Sequence, residues 1–239
     1  MRTGFPGFPR EGVEFLRALA RNNRREWFQP RKQMFEEQVK QPMRALVETV
    51  NTALMGFAPE LATEPEKAIY RIYRDTRFSK DKTPYKTHIA ASFHHRPSAG
   101  QSDGGFYFAV SHKEVAIGGG VYMPQPAELL GIRNHIAGWH EELRRILRAR
   151  QVKQLFGELQ GEQLSRVPKG FACDHPAADL LRFKRFVLYV ELAPELATTP
   201  ALYSEILKRF RAMTPFLRFL TAPTTAGDGI RRLPSRPHR

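Results

Sequence analysis

GFYFAVSHKEVAIGGGVY, residues 105–122, is the stretch on which the fold turns. Two runs rich in aromatic and β-branched residues, 105–111 and 114–122, flank a polar His112-Lys113 junction. That pattern predicts two strands joined by a tight hairpin. Working outward, THIAASFHH (87–95) reads as a strand before them, separated by a surface loop from Pro97 to Gly105. AIYRIY (68–73) and KRFVLYVEL (184–192) are two more strand candidates.

Helical spacing governs what lies on either side. Phe15, Leu16 and Leu19 share a stripe that Asn22-Asn23 would end, and Asn23 with Glu26 fits a capping box for a new helix. A helical region then runs to Met55, with interruptions near Pro30 and Pro42. Phe35, Val39, Met43, Leu46, Val47 and Val50 mark its buried stripe. A second helical stretch covers about Ala127 to Phe156 with a break at Gly138, and residues 201–220 form a closing amphipathic helix with a bend at Pro215. Helices, then mostly sequential strands, then helices predict an α+β fold. Its sheet should be mainly antiparallel, flanked by N-terminal, middle and C-terminal helices.

The chain has 239 residues, 41% of them hydrophobic, and a net charge of +14. Residues 221–239 carry four arginines against one aspartate, so residues 1–220 keep +11. We expect one domain over 1–220 and a disordered basic tail over 221–239. A positive field of this size favours phosphate-bearing partners. Cys173 is the single cysteine, which excludes an intrachain disulfide. Neither a signal-like opening nor about 18 consecutive apolar residues occurs, so a cytoplasmic protein without an integral membrane segment is expected.

RIYRDTRFSKDKTPYKT (71–87) is the candidate site. Asp75, Ser79, Asp81, Thr83 and Pro84 favour turns, and loops placed by a sheet commonly present binding groups. Arg71, Arg74 and Arg77 offer planar forks of donors to anionic oxygens, while Lys80, Lys82 and Lys86 supply compact positive charge. Asp75 and Asp81 are the candidate catalytic groups, as base or metal ligand, and could equally orient the cations by pairing with them. Phe78 and Tyr85 could wall the site or stack on a base. Ser79 and His88 complete the candidate ligand-binding set. Gly118-Gly119-Gly120 reads as a strand bulge or as a loop letting phosphate approach the backbone. Histidine spacing matches no ligand motif, so no metal is assigned, and the cofactor is left unknown. Cys173-Asp174-His175 reads as a turn before a short helix at AADLL, and Arg144, Arg145, Arg148 and Arg150 as a solvated helix face.

The sequence also resembles a known family. GFP near the start, FLRALARNN…EWF (15–28), YRIYRDTRFSKDKTPYKTH (70–88), GGGVYMP (118–124) and PKGFACDHPAADLL (168–181) resemble the bacterial family known as domain of unknown function 2461. The resemblance spans roughly residues 4–220 and implies a single-domain bacterial protein, without implying an activity.

Three functions fit the residues. One is a site for a phosphorylated small molecule or nucleotide, enzymatic if Asp75 or Asp81 takes part. Another is nucleic-acid binding, and a third is an internal ion-pair network that locks the loop. Interleaving of cations with Tyr, Phe and Pro favours the first two.

Overall fold

Alternation of side chains builds the sheet where the sequence places it. In the computed structural model, which describes residues 4–94 and 104–225, there are four such strands. They are β1 (His88–His94), β2 (Gly105–Ser111), β3 (Val115–Val121) and β4 (Phe186–Leu192). They form one antiparallel sheet in the order β1-β2-β3-β4. The hairpin at His112-Lys113 is closed by Ser111, whose hydroxyl accepts from the amides of Lys113 and Glu114 at 3.0 Å each.

Register sorts the two faces. Ile89, Ala91, Phe93, Phe106, Phe108, Val110, Val115, Ile117, Val121, Phe186 and Leu188 are buried on one face. The helices cover this face. They comprise α1 (Arg10–Arg21), α2 (Arg25–Phe28), α3 (Lys32–Phe35), α4 (Gln41–Leu54), α5 (Pro65–Ala68), α6 (Pro126–Arg148), α7 (Arg150–Phe156), α8 (Ala178–Leu181) and α9 (Ala201–Thr225). Phe210 of α9 stacks on Phe106 at 4.4 Å and meets Phe93 edge-on at 5.8 Å. On the opposite face Ala90, Ala109 and Ala116 lie side by side, with Tyr107 and Tyr189 packed over them. One cluster of buried apolar side chains runs from Phe5 to Leu220. The fold is α+β.

Local chemistry explains the breaks. Pro30 sits in a 3₁₀ turn between α2 and α3, and a π-helical segment, Glu36–Lys40, precedes Pro42. In α6 the irregular residue is Trp139 (φ −131°, ψ 28°), directly after Gly138. Helix α9 continues through Pro215 to Thr225, beyond the expected boundary at 220. The rest of the expected tail, and most of the expected loop from Pro97, lie outside the described residues.

One expected strand is corrected. Residues 68–73 make only isolated bridges, Ile69 to Ala91 and Tyr73 to Tyr85, after the short helix α5. Tyr70 donates its amide to the Ala90 carbonyl at 2.9 Å. The chain then leaves the sheet edge to pair with its own continuation, Arg74 N–H to Pro84 O and Lys86 N–H to Ile72 O.

Gly118, Gly119 and Gly120 are likewise not a phosphate-approach loop. They form part of β3, paired with β2 on one side and β4 on the other. Gly120 has φ +129°, and a Cβ there would stand 2.1 Å from the Phe186 carbonyl oxygen. Gly120→Ala is therefore expected to cost about 3 kcal/mol. For a chain of this length that lowers Tm by roughly 6–12 °C in a thermal melt.

Candidate functional site

Residue Asn23 positions the whole charged stretch. Its side chain donates to the Tyr85 carbonyl at 2.8 Å and accepts from the Tyr85 amide at 3.0 Å. The predicted capping box is thus overturned: Asn23 is committed to Tyr85, and Arg24, which precedes α2, makes no side-chain cap. Tyr85 is buried, its ring stacked on Phe28 at 4.2 Å. It belongs to the core rather than to a ligand wall.

Beyond Tyr73 and Tyr85 the chain projects as a loop whose charges largely satisfy one another. Asp81 accepts the Thr83 amide at 2.9 Å and pairs with Arg74 at 2.5 Å. These contacts, the Thr83 amide first, hold its carboxyl down at about 2. Arg74 also donates to the Thr83 hydroxyl and, at 3.3 Å, to the Thr83 carbonyl. Asp75 receives both arms of Arg77, at 3.1 and 2.8 Å, and the Arg77 amide at 3.2 Å. The Arg77 side chain is the main reason its carboxyl also titrates below the ordinary range. Lys82 donates to the Thr76 carbonyl at 2.9 Å, and the Ser79 amide makes a 3.4 Å bond to the same oxygen. Lys80 and Phe78 are exposed at the tip. The two candidate catalytic aspartates are therefore bound to arginines of their own loop.

A second group forms at the sheet edge. Lys86 Nζ lies 4.9 Å above the Tyr70 ring, and Tyr70 sits 6.4 Å from Tyr107. Burial, then repulsion from Arg71, pushes the Lys86 ammonium below its usual value. His88 is held below 6.5 by burial and then by Lys86. Burial pushes the Tyr107 phenol up to about 12. Among the described residues no carboxylate hydrogen-bonds to Arg71, Lys86 or His88. Farther along the same face, His94 Nε2 is 2.7 Å from Ser92 Oγ.

Tyr70 and Arg71 also border a cleft of about 780 Å³ between α2–α4 and residues 65–73. Its apolar floor includes Phe28, Phe35, Ile69, Ile72 and Ile89. On its rim Lys40 pairs with Glu36 at 2.8 Å, and Arg44 with Glu48 at 3.1 Å and Glu66 at 2.5 Å. Lys32 and Arg71 are the rim cations without such a pair among the described residues. The structure thus brings Arg71, Lys86 and His88 together and sets Arg74, Arg77, Lys80 and Lys82 apart on the loop. Sequence reading missed Lys32, Phe28 and Phe35 as cleft-lining residues, because nothing in an amphipathic helix marks which face borders a cleft.

The other motifs stand elsewhere. Cys173 is an exposed free thiol. His175 Nδ1 accepts the Ala177 amide at 3.0 Å in the turn before α8. Arg144 is committed to Asp179, at 2.8 and 3.1 Å, and to the Pro176 carbonyl. No cluster of three or more His, Cys, Asp or Glu among the described residues could hold a metal ion. No helix among them is long and apolar enough to cross a membrane.

Asn23→Ala removes two hydrogen bonds and strands the Tyr85 backbone polar groups, so it should lower stability by about 2 kcal/mol in a denaturant titration. Asp81→Asn should instead leave the melt close to wild type, because its pair is solvent-exposed, while proteolysis within residues 76–82 accelerates. Asp81 is depressed in the fold. Its contribution is therefore full above 3.8 and fades as pH falls through about 2, so loop protection should persist at pH 5.

Neither curated proteins nor solved structures include a significant match to this chain. The model of one family, described as "Conserved hypothetical protein (DUF2461)", matches residues 11–219. The chain belongs to that family.

Proposed function

We propose that the cleft and its adjoining cations bind a phosphate-bearing ligand. Arg71, Lys86 and Lys32 contact the anionic oxygens, and the apolar floor takes the rest of the ligand. One observation carries this reading. Arg71 borders the cleft and its charge reaches both Lys86 and Asp75, while no carboxylate among the described residues hydrogen-bonds to Arg71 or Lys86. An anion seated between Arg71 and Lys86 would relieve their repulsion and return the Lys86 ammonium toward its ordinary range. Elsewhere in the motif, Arg74–Asp81 and Arg77–Asp75 support the ion-pair-network reading for the loop itself.

Floor and charge divide the work. Phe28, Phe35 and Ile72 supply apolar surface, the usual composition of a small-molecule pocket. Tyr70 and Tyr73, both partly exposed, stand where a planar group could stack. With Asp75 and Asp81 bound by arginines, the proposal is one of binding, with no general base assigned.

Calorimetry with inorganic phosphate and with a mononucleotide tests it. Arg71→Ala and Lys86→Ala should each weaken binding about tenfold or more, the usual loss for a hydrogen bond to a charged group. Asp75→Asn should change little. Wild-type affinity in folded Arg71→Ala and Lys86→Ala variants would overturn the proposal.

A further inference from the structure

Two aromatic side chains, Tyr70 and Tyr73, border the cleft, and a third, Phe78, stands on the loop that continues from them, with cations interleaved in the sequence. Tyr70, Tyr73 and Phe78 are 41%, 43% and 95% exposed, and Arg71, Arg77 and Lys80 lie between or just after them. A single exposed phenylalanine needs no explanation by itself. Phe78 differs because two ion pairs, Arg74 with Asp81 and Arg77 with Asp75, fix the loop that presents it. The Arg77 guanidinium lies 5.8 Å from its ring centre, leaving the rest of the ring open.

We propose that the ligand of the cleft is part of a single-stranded nucleic acid. Its phosphates lie on Arg71, Lys86 and Lys80, and its bases stack on Tyr70, Tyr73 and Phe78. This rests on the cleft being a phosphate site. Stacking platforms beside a cationic groove are how single strands are held without sequence readout. A duplex keeps its base faces covered, so the aromatic row has nothing to offer it. A flat anionic bilayer could meet Phe78 but could not enter the concave space bordered by Tyr70 and Tyr73. The +11 carried by residues 1–220 adds the long-range attraction that a polyanion requires.

Fluorescence anisotropy on the full chain, with labelled oligothymidylate of about ten nucleotides, tests this. Calorimetry with thymidine monophosphate runs alongside. The arginines of residues 226–239 are present in every variant, so their own attraction cancels in the comparison. Phe78→Ala should weaken the oligonucleotide about tenfold and leave the mononucleotide unchanged. Arg71→Ala should weaken both. Equal oligonucleotide affinity in Phe78→Ala and wild type overturns the strand proposal, as does a mononucleotide that binds as tightly as the oligonucleotide. In either case mononucleotide binding that depends on Arg71 leaves the cleft reading standing. If wild type binds neither probe, the cleft reading itself fails. Binding to phosphatidylserine vesicles without oligonucleotide binding overturns the strand proposal in favour of a lipid surface.

Discussion

Two hydrogen bonds between Asn23 and the main chain of Tyr85 hold the charged stretch to the body of the protein. They join residues 62 positions apart, linking the turn after α1 to the segment that leads into β1. An amide side chain suits the task because it donates and accepts at once, answering a backbone N–H and C=O with one group. Stacking of Tyr85 on Phe28 then buries the joint. From this anchor the chain runs one way into β1 and the other way around the loop. The cleft lies beside it, because Phe28 belongs both to the joint and to the cleft floor.

The anchored segment divides its cations into two populations. Arg74 and Arg77 meet aspartates within the loop, so their charge is spent on shape. Ion pairs this exposed add little to global stability, yet they restrict where Phe78 can go. Arg71 and Lys86 make no hydrogen bond to a carboxylate among the described residues, although Asp75 feels the Arg71 charge, and Lys86 is half-buried beside Tyr70. Total charge could not have separated these populations. What separates them is whether a turn of the chain brings a carboxylate within hydrogen-bonding distance.

Much of the sheet was legible because period-2 alternation is local: residues 87–95, 105–111 and 114–122 each carry their own pattern. The 68–73 segment carries the same pattern and failed as a strand, since bonding at an edge is decided by what the next residues do. Asp75, Ser79, Asp81, Thr83 and Pro84 turn the chain back on itself, and only Tyr70 keeps its bond to β1. Glycines 118–120 were legible as glycines that something requires. The close approach of the Phe186 carbonyl comes from β4, more than sixty residues later, and no local pattern announces it. Asn23 misled for a related reason, because a side chain with the chemistry of a cap was taken up by a distant backbone. The candidate site was half legible: Arg71, Lys86 and His88 lay in the motif, whereas Lys32 borders the same cleft as Arg71 only because the fold sets α3 across from residues 65–73.

The unpaired cations have a thermodynamic consequence. Burial and Arg71 both push the Lys86 ammonium below its free value of 10.5, so the unfolded chain holds that proton more tightly than the fold does. Lys86 therefore works against folding at neutral pH, and its cost shrinks only as pH rises toward that value. A core that wanted stability alone would place an apolar side chain there, or a carboxylate beside it. Keeping two cations in mutual repulsion makes sense where a third, negative species completes the arrangement. Such a species stabilises the fold in proportion to its concentration over its Kd. An anion bound as proposed would relieve the same repulsion that weakens the free protein, so affinity and apparent stability would rise together.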